Sequence, residues 1–358
     1  MRKTKSILEL TLLKTMLAIY IMLAVVLAGL NYGYAGQASP SVKNLISGFW
    51  HFYENGMKTI FIIFGSFLTL RIIRHTKRFT MQKRNLFGFI ITALVVHMAA
   101  PFFLHNKEIY FFAMPLPWTT TPIQFLYPKS SIYLSRFPVW GTAGITAALV
   151  FYLCVTIIVL VGTLLMGRRW QCSTLCLFNG FASEIFAPAF PLLGKAKKAS
   201  RGTLKLFQIF RWVFLILALF FSLWWLFFLS GIPVFGNFRI ISQLETIKYL
   251  SAELLLAMFF WIAWIGRGYC YYCPLGTVLA LLSRWAGQKI ITNRSRCIQC
   301  KRCDEVCPMT IDISSMAKQG VPVNDLRCVG CGHCIDACPA QTLGYSTYFL
   351  DWVYHHKR

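Results

Sequence analysis

Long apolar runs alternate with short polar segments along most of this chain, and the alternation sets its architecture. Six runs approach the length of about 20 residues that an α-helix needs to cross a bilayer. They cover residues 12–31, 55–73, 85–104, 141–166, 211–230 and 248–266. Beyond the last run the pattern changes to polar residues, turns and closely spaced cysteines. The expected fold is an all-α polytopic membrane protein of about six transmembrane helices with a small α+β region at its C-terminus. The expected divisions are a transmembrane domain over 1–285, with cysteine-bearing loops at 167–180 and 266–276, a cysteine-rich domain over 286–345 and a tail over 346–358.

Charge orients this arrangement. Of the 36 Lys and Arg residues, 29 lie at the N-terminal tip, in 71–84, in 167–211 or after the last run. The alternate segments hold only Lys43, Lys58, Lys107, Lys129, Arg136, Arg239 and Lys248. The positive-inside rule then places both termini and the cysteine-rich domain in the cytoplasm, with the helices in the inner (cytoplasmic) membrane and lipid as their partner. Residues 1–38 have a basic start and small residues around Ala35, as a signal peptide does, but their apolar run is long for one. The connection 105–140 is rich in proline and carries Trp118, Tyr127, Tyr133 and Trp140. It reads as an ordered loop at headgroup level: a docking face, a lid or a plain connector.

Composition agrees, at 57% hydrophobic and 13% charged residues. The net charge of +24 could suit a nucleic acid. Its residues, however, sit at the ends of apolar runs, where a bilayer accounts for them, and no nucleic-acid partner is expected.

Thirteen cysteines supply the chemistry. Cys297, Cys300, Cys303 and Cys307 precede Pro308; Cys328, Cys331, Cys334 and Cys338 precede Pro339. Both runs read C-x2-C-x2-C-x3-C-P, the bacterial ferredoxin spacing, in which the fourth cysteine of each run ligates the other run's cluster. Two [4Fe–4S] clusters are expected: one on Cys297, Cys300, Cys303 and Cys338, the other on Cys328, Cys331, Cys334 and Cys307. Zinc is the competing metal, and a disulfide framework fits the clustered spacing poorly. The amides of Gly330 and Gly332 are placed to bond cluster sulfurs. His333 reads as a solvent-exposed loop residue. Arg294, Arg296, Lys301, Arg302 and Arg327 read as a basic surface for an acidic redox partner or anionic lipid.

The fourth and sixth apolar runs end in related sequences. One is Arg169-Trp170-Gln171-Cys172 followed by Cys176; the other is Arg267-Gly268-Tyr269-Cys270 followed by Cys273-Pro274. Read as a weak repeat of Arg-x-x-Cys loops, they can bring Cys172, Cys176, Cys270 and Cys273 together as a further metal or iron–sulfur site, or leave them as structural or redox-active thiol pairs. Cys154, alone within the fourth run, reads as an inert thiol. Two such loops followed by a tandem ferredoxin run resemble the membrane polyferredoxins of the NosR/NapH type, over roughly residues 140–345. The resemblance implies an oxidoreductase component exchanging electrons between the quinone pool and a redox partner or other subunits, in anaerobic respiration. A metal-reducing assembly factor and a redox-sensing regulator are the alternatives.

Ionisable residues at membrane depth are candidate site residues. His51, Glu54 and Lys58 recur on one helix face, Glu253 shares a face with Glu245 and Tyr249, and His97 lies in the third run. They are expected to serve a quinone and its protons; haem on His51 and His97 is not expected. By the orientation above they lie toward the outer face, whereas every thiol lies toward the inner face.

Overall fold

The computed structural model describes residues 2–74, 80–194 and 198–355. Lys77, Arg78, Lys195, Lys197, Lys357 and Arg358, all counted in the charge balance, lie outside these residues. Six helices are long and apolar enough to cross a membrane: Ile7–Tyr34, Pro40–Arg74, Thr80–Phe103, Ser131–Met166, Arg201–Leu229 and Phe238–Ala263. Only 17% to 50% of each hydrophobic window is buried within the molecule. The rest, including Phe64, Phe67, Leu153, Ile157 and Ile216, faces outward. Apolar helix surface on that scale needs an apolar surround.

The helices run longer than the apolar runs. The second begins at Pro40 rather than at 55, because its first turns are amphipathic and escape a hydropathy window. The fourth starts at Ser131, where Ser130 caps it by accepting from the Tyr133 amide, and breaks direction at Gly141, whose φ is +63°. Widened π-helical turns interrupt three helices, at Tyr53–Met57, Leu94–Ala99 and Tyr249–Leu255. These turns carry Glu54, His97 and Glu253. Such bulges free backbone carbonyls and collect at functional sites.

The C-terminal region is built on two antiparallel strands, β1 (Lys289–Thr292) and β2 (Leu343–Ser346), with Ile290 opposite Tyr345. Its apolar core is not separate. Ile290, Met309, Ile311, Val323 and Val329 belong to the same buried cluster as Tyr269, Tyr271, Leu275 and Leu279, which follow the sixth long helix. Residues 346–358, expected as a tail, include a helix over Tyr348–His355. It is anchored where Thr347 Oγ1 donates to the Leu165 carbonyl at 2.7 Å.

Docking onto the helix ends is polar and specific. The Asp336 carboxylate accepts from the amides of Met81, at 3.0 and 3.1 Å, and Gln82, at 3.0 Å. These are the first donors of the third long helix, where an anion also meets the positive end of the helix dipole. Gln288 accepts from the Arg168 amide at 2.7 Å and donates to the Cys328 carbonyl at 3.1 Å. The Tyr345 hydroxyl donates to the Met166 carbonyl at 2.7 Å. Removing the cap by Asp336→Ala should cost about 1 kcal/mol locally, a roughly five-fold rise in hydrogen exchange at Met81 and Gln82 if opening there is local. Unchanged exchange at those two amides would show that Asp336 does not hold this junction.

Candidate metal centres and the cavities above them

The two ferredoxin runs share one backbone. In each, the residues flanking the second cysteine have positive φ: Gln299 (+55°) and Lys301 (+58°) in the first run, Gly330 (+67°) and Gly332 (+79°) in the second. The first run lies at the surface and tolerates side chains there. The second is pressed against the helix ends, where a Cβ at Gly330 would meet Arg169 Cβ at 2.7 Å and one at Gly332 would meet Met81 Cβ at 2.6 Å. Glycine therefore serves both the left-handed backbone and the close approach.

The thiols of the two runs gather in two sets. Cys297, Cys300, Cys303 and Cys338 line one small void, and Cys300 is exposed. Cys307 lies within electrostatic range of Cys328, Cys331 and Cys334, and the last two are buried. Burial pushes the Cys328 thiol up to about 11 and that of Cys303 up to about 12. Backbone amides oppose the rise, those of Gly330 at Cys328, His333 at Cys331, and Met309 and Ile311 at Cys307. Four converging thiols bonded by turn amides form the cradle that an iron–sulfur cluster requires.

A second set converges between the helix ends. Cys172, Cys176, Cys270 and Cys273 interact with one another. Burial, with the neighbouring thiols, pushes Cys176 up to about 11 and Cys273 well above its ordinary value. Amides offset part of the cost: those of Phe178 and Gly180 at Cys176, and that of Gly276 at Cys273, where the thiol caps the helix Pro274–Trp285 at 3.3 Å.

Two arginines, each only 1% exposed, clasp the loops together. Arg168 donates through Nε to Cys172 Sγ at 3.3 Å and reaches across to the Cys270 carbonyl at 3.2 Å. Arg267 lies 3.7 Å from Cys270 Sγ and reaches across to the Cys172 carbonyl at 3.1 Å. The repeat is therefore real in space, with its register shifted. The partner of Arg267 is Arg168, not Arg169, which turns instead to Asn85 and Met81. The Gly-Arg pair common to both loops, Gly167-Arg168 and Gly266-Arg267, is the signal that an Arg-x-x-Cys reading passes over. The charge partners of Arg168 are the Cys172, Cys270 and Cys273 thiols. A buried cation whose partners are thiols fits a site where they are ionised, and ionised thiols bind metal.

Arg267 also donates to Glu184 Oε1, while His333 Nε2 lies 3.0 Å from Glu184 Oε2. Burial raises the Glu184 carboxyl, but the His333 and Arg267 charges outweigh it and hold the group below the usual carboxylate range. Asn85 donates to both Glu184, at 3.0 Å, and the Cys331 carbonyl, at 2.8 Å. His333 is thus not a solvent-exposed loop residue. It opens the short helix His333–Ala337 and bridges the ferredoxin region to the loop carrying Cys172. Glu184 is one of only six acidic residues before position 301, and that scarcity is the trace it leaves in the sequence.

Two cavities lie above this site. The inner one, about 140 Å³, is lined by Glu54, Lys58, His97, Tyr249 and Trp261, and by Gln171, Leu175, Leu177 and Phe178 of the first cysteine loop. The Lys58 ammonium pairs with Glu54 at 2.9 Å and stands 5.5 Å from the Phe181 ring centre. His97 is 2% exposed, and both of its ring nitrogens lack a hydrogen-bond partner, as does Gln171 Oε1. The second cavity, about 240 Å³, opens at the helix ends away from the thiols and holds His51, Glu108, Arg136, Glu245, Lys248 and Glu253. The polar residues singled out by sequence thus divide, with Glu54, Lys58 and His97 on the inner cavity, His51, Glu245 and Glu253 on the outer, and Tyr249 on both. Cys154 faces outward from the fourth long helix.

A 4Fe-4S dicluster domain model matches residues 289–339, so the chain carries a dicluster ferredoxin domain. Over 168 residues, the chain is 30% identical to an uncharacterized protein of Methanocaldococcus jannaschii, a match spanning 46% of this chain and 60% of that protein. No solved structure matches.

Because Glu184 neutralises Arg267, Glu184→Gln should leave an uncompensated buried charge and destabilise the fold by about 3–5 kcal/mol. A melting temperature within error of the parent protein would show that the pair carries no such load. Iron analysis checks the loop thiols. About twelve atoms per chain are expected if a third [4Fe–4S] cluster sits there, falling to about eight in Cys172→Ser/Cys273→Ser.

Proposed function

We propose that this chain is a membrane electron-transfer subunit that exchanges electrons between a quinone in the inner cavity and a redox partner at the exposed ferredoxin cluster. Six helices cross the cytoplasmic membrane, with the ferredoxin region on the cytoplasmic side, where most of the basic residues lie. The observation that carries the reading is a shared wall. The loop that lines the inner cavity with Gln171, Leu175 and Leu177 also holds Cys172 and Cys176. A carrier in that cavity is one loop from the first thiol site, so the separation between polar residues and thiols expected from sequence is bridged.

Iron–sulfur clusters held by the three cysteine sets would supply one-electron steps between a two-electron carrier and a one-electron partner. The protein's own residues do the rest. His97, with two unmet ring nitrogens, can donate a ring N–H to a quinone oxygen, and Gln171, with an unmet carbonyl oxygen, can accept from a hydroxyl of the quinol. Aromatic and aliphatic walls receive its tail and exclude water. Arg168 and Arg267 hold the four-thiol site rigid, and the Glu184–His333 and Asn85–Cys331 contacts join it to the buried ferredoxin site. The surface site around Cys300 is ringed by exposed Arg294, Arg296, Lys301, Arg302 and Ile298, which suits an acidic electron-transfer protein.

The test is anaerobic oxidation of the chemically reduced protein by a short-chain quinone, followed by recovery of cluster absorbance. Rapid oxidation is expected, slowed on the order of a hundred-fold in His97→Leu. Clusters that stay reduced in the parent protein, alone and in native membranes, would overturn the reading.

A further inference from the structure

The two cavities are neighbours, and their difference in chemistry has a function. Trp50, Phe111, Trp118 and Tyr249 line both and so form the partition between them. On the inner side stand His97 and the Lys58–Glu54 pair, with the phenols of Tyr20, Tyr53 and Tyr110. On the outer side, one helical turn before Glu54, stands His51, whose Nε2 lies 3.3 Å from Glu108. Glu108 in turn pairs with Arg136 at 2.8 Å, an arginine 40% exposed. A second file runs along the partition, where Lys248 Nζ meets Glu253 at 2.7 Å. The remaining outer acid, Glu245, is occupied by the Thr120 amide at 2.7 Å and by the Gln124 side chain. Ionisable groups therefore continue from the inner cavity to the face opposite the ferredoxin region. On the other side of the inner cavity, the wall is made by Gln171, Leu175, Leu177 and Phe178, none of which titrates, and the polar groups beyond it are thiols and hydrogen-bonded arginines.

Resting on the quinone reading above, we propose that this geometry makes the reaction vectorial: electrons pass between the inner cavity and the ferredoxin side, while protons pass between the inner cavity and the opposite face through Glu54, His51 and Glu108, with Glu253 beside them. Reduction of one quinone takes two electrons, delivered one at a time from the thiol side, and two protons from the outer cavity, and yields one quinol. The reverse reaction returns two protons to that face and two electrons to the clusters. Either direction separates charge across the membrane, because electron and proton reach the ring from opposite sides.

The test uses the full chain in sealed proteoliposomes with the ferredoxin region outward. A quinone is placed in the bilayer, a pH dye in the lumen, and titanium(III) citrate outside as a membrane-impermeant one-electron reductant. Protein-free vesicles correct for direct reduction of quinone. The expected result is lumenal alkalinisation of about one proton per electron, abolished by a protonophore. Glu54→Gln should slow both quinone reduction and alkalinisation on the order of a hundred-fold, and His51→Gln should reproduce the effect from a site outside the inner cavity. In both variants direct reduction of the clusters by titanium should be unchanged. Quinone reduction with no lumenal pH change would overturn the vectorial proposal and leave the quinone reading standing. Absence of quinone reduction in the parent protein would overturn the quinone reading and this proposal with it.

Discussion

Two buried arginines reaching across a pair of loops hold this molecule together. Arg168 and Arg267 each approach the cysteine of their own loop and bond the carbonyl of the cysteine in the other. Burying a guanidinium costs several kcal/mol unless it is neutralised and hydrogen-bonded, so the clasp depends on the groups around it. Glu184 must face Arg267, the thiols must face Arg168, and the loops must meet in one register. Arg168 also donates to the Leu326 carbonyl, and the ferredoxin region is set by the same side chain.

From that constraint the layers follow. The second ferredoxin run needs glycine at 330 and 332 because the loop and the third long helix press against it. The first run, free of that pressure, carries ordinary residues in the same backbone and leaves Cys300 exposed. One cysteine set lies at the surface, one is buried at the junction, and one sits between the helix ends beneath a cavity. Two cradles alone would suit a soluble carrier. The third set and the cavity above it extend the arrangement into the helical layer.

Much of this was legible in the residues. Runs of apolar positions gave the number of long helices, and the spacing of Cys297 to Cys338 named the cradles, because both depend on local sequence. Less local features were hidden. The π-helical turns that present Glu54, His97 and Glu253 change the face a residue occupies without changing composition. The register of the loop repeat was misread because Arg-x-x-Cys is satisfied by Arg169, while the burial that decides between Arg168 and Arg169 is a tertiary property. His333 looked like a loop residue until Glu184, far away in the chain, was placed beside it. The apparent separation of polar residues from thiols came from treating helix ends as opposite faces. The first cysteine loop folds back between the helices and closes that distance.

Electron exchange as proposed depends most on the four loop thiols, which lie between the inner cavity and the ferredoxin region. The direct measurement is single-turnover electron exchange in Cys270→Ser, followed at the ferredoxin clusters themselves. These clusters should still form and still accept electrons from a soluble chemical reductant, but exchange them with a bilayer quinone about a hundred-fold more slowly, a barrier increase of about 2.7 kcal/mol. Quinone exchange at the parent rate in that variant would contradict that dependence.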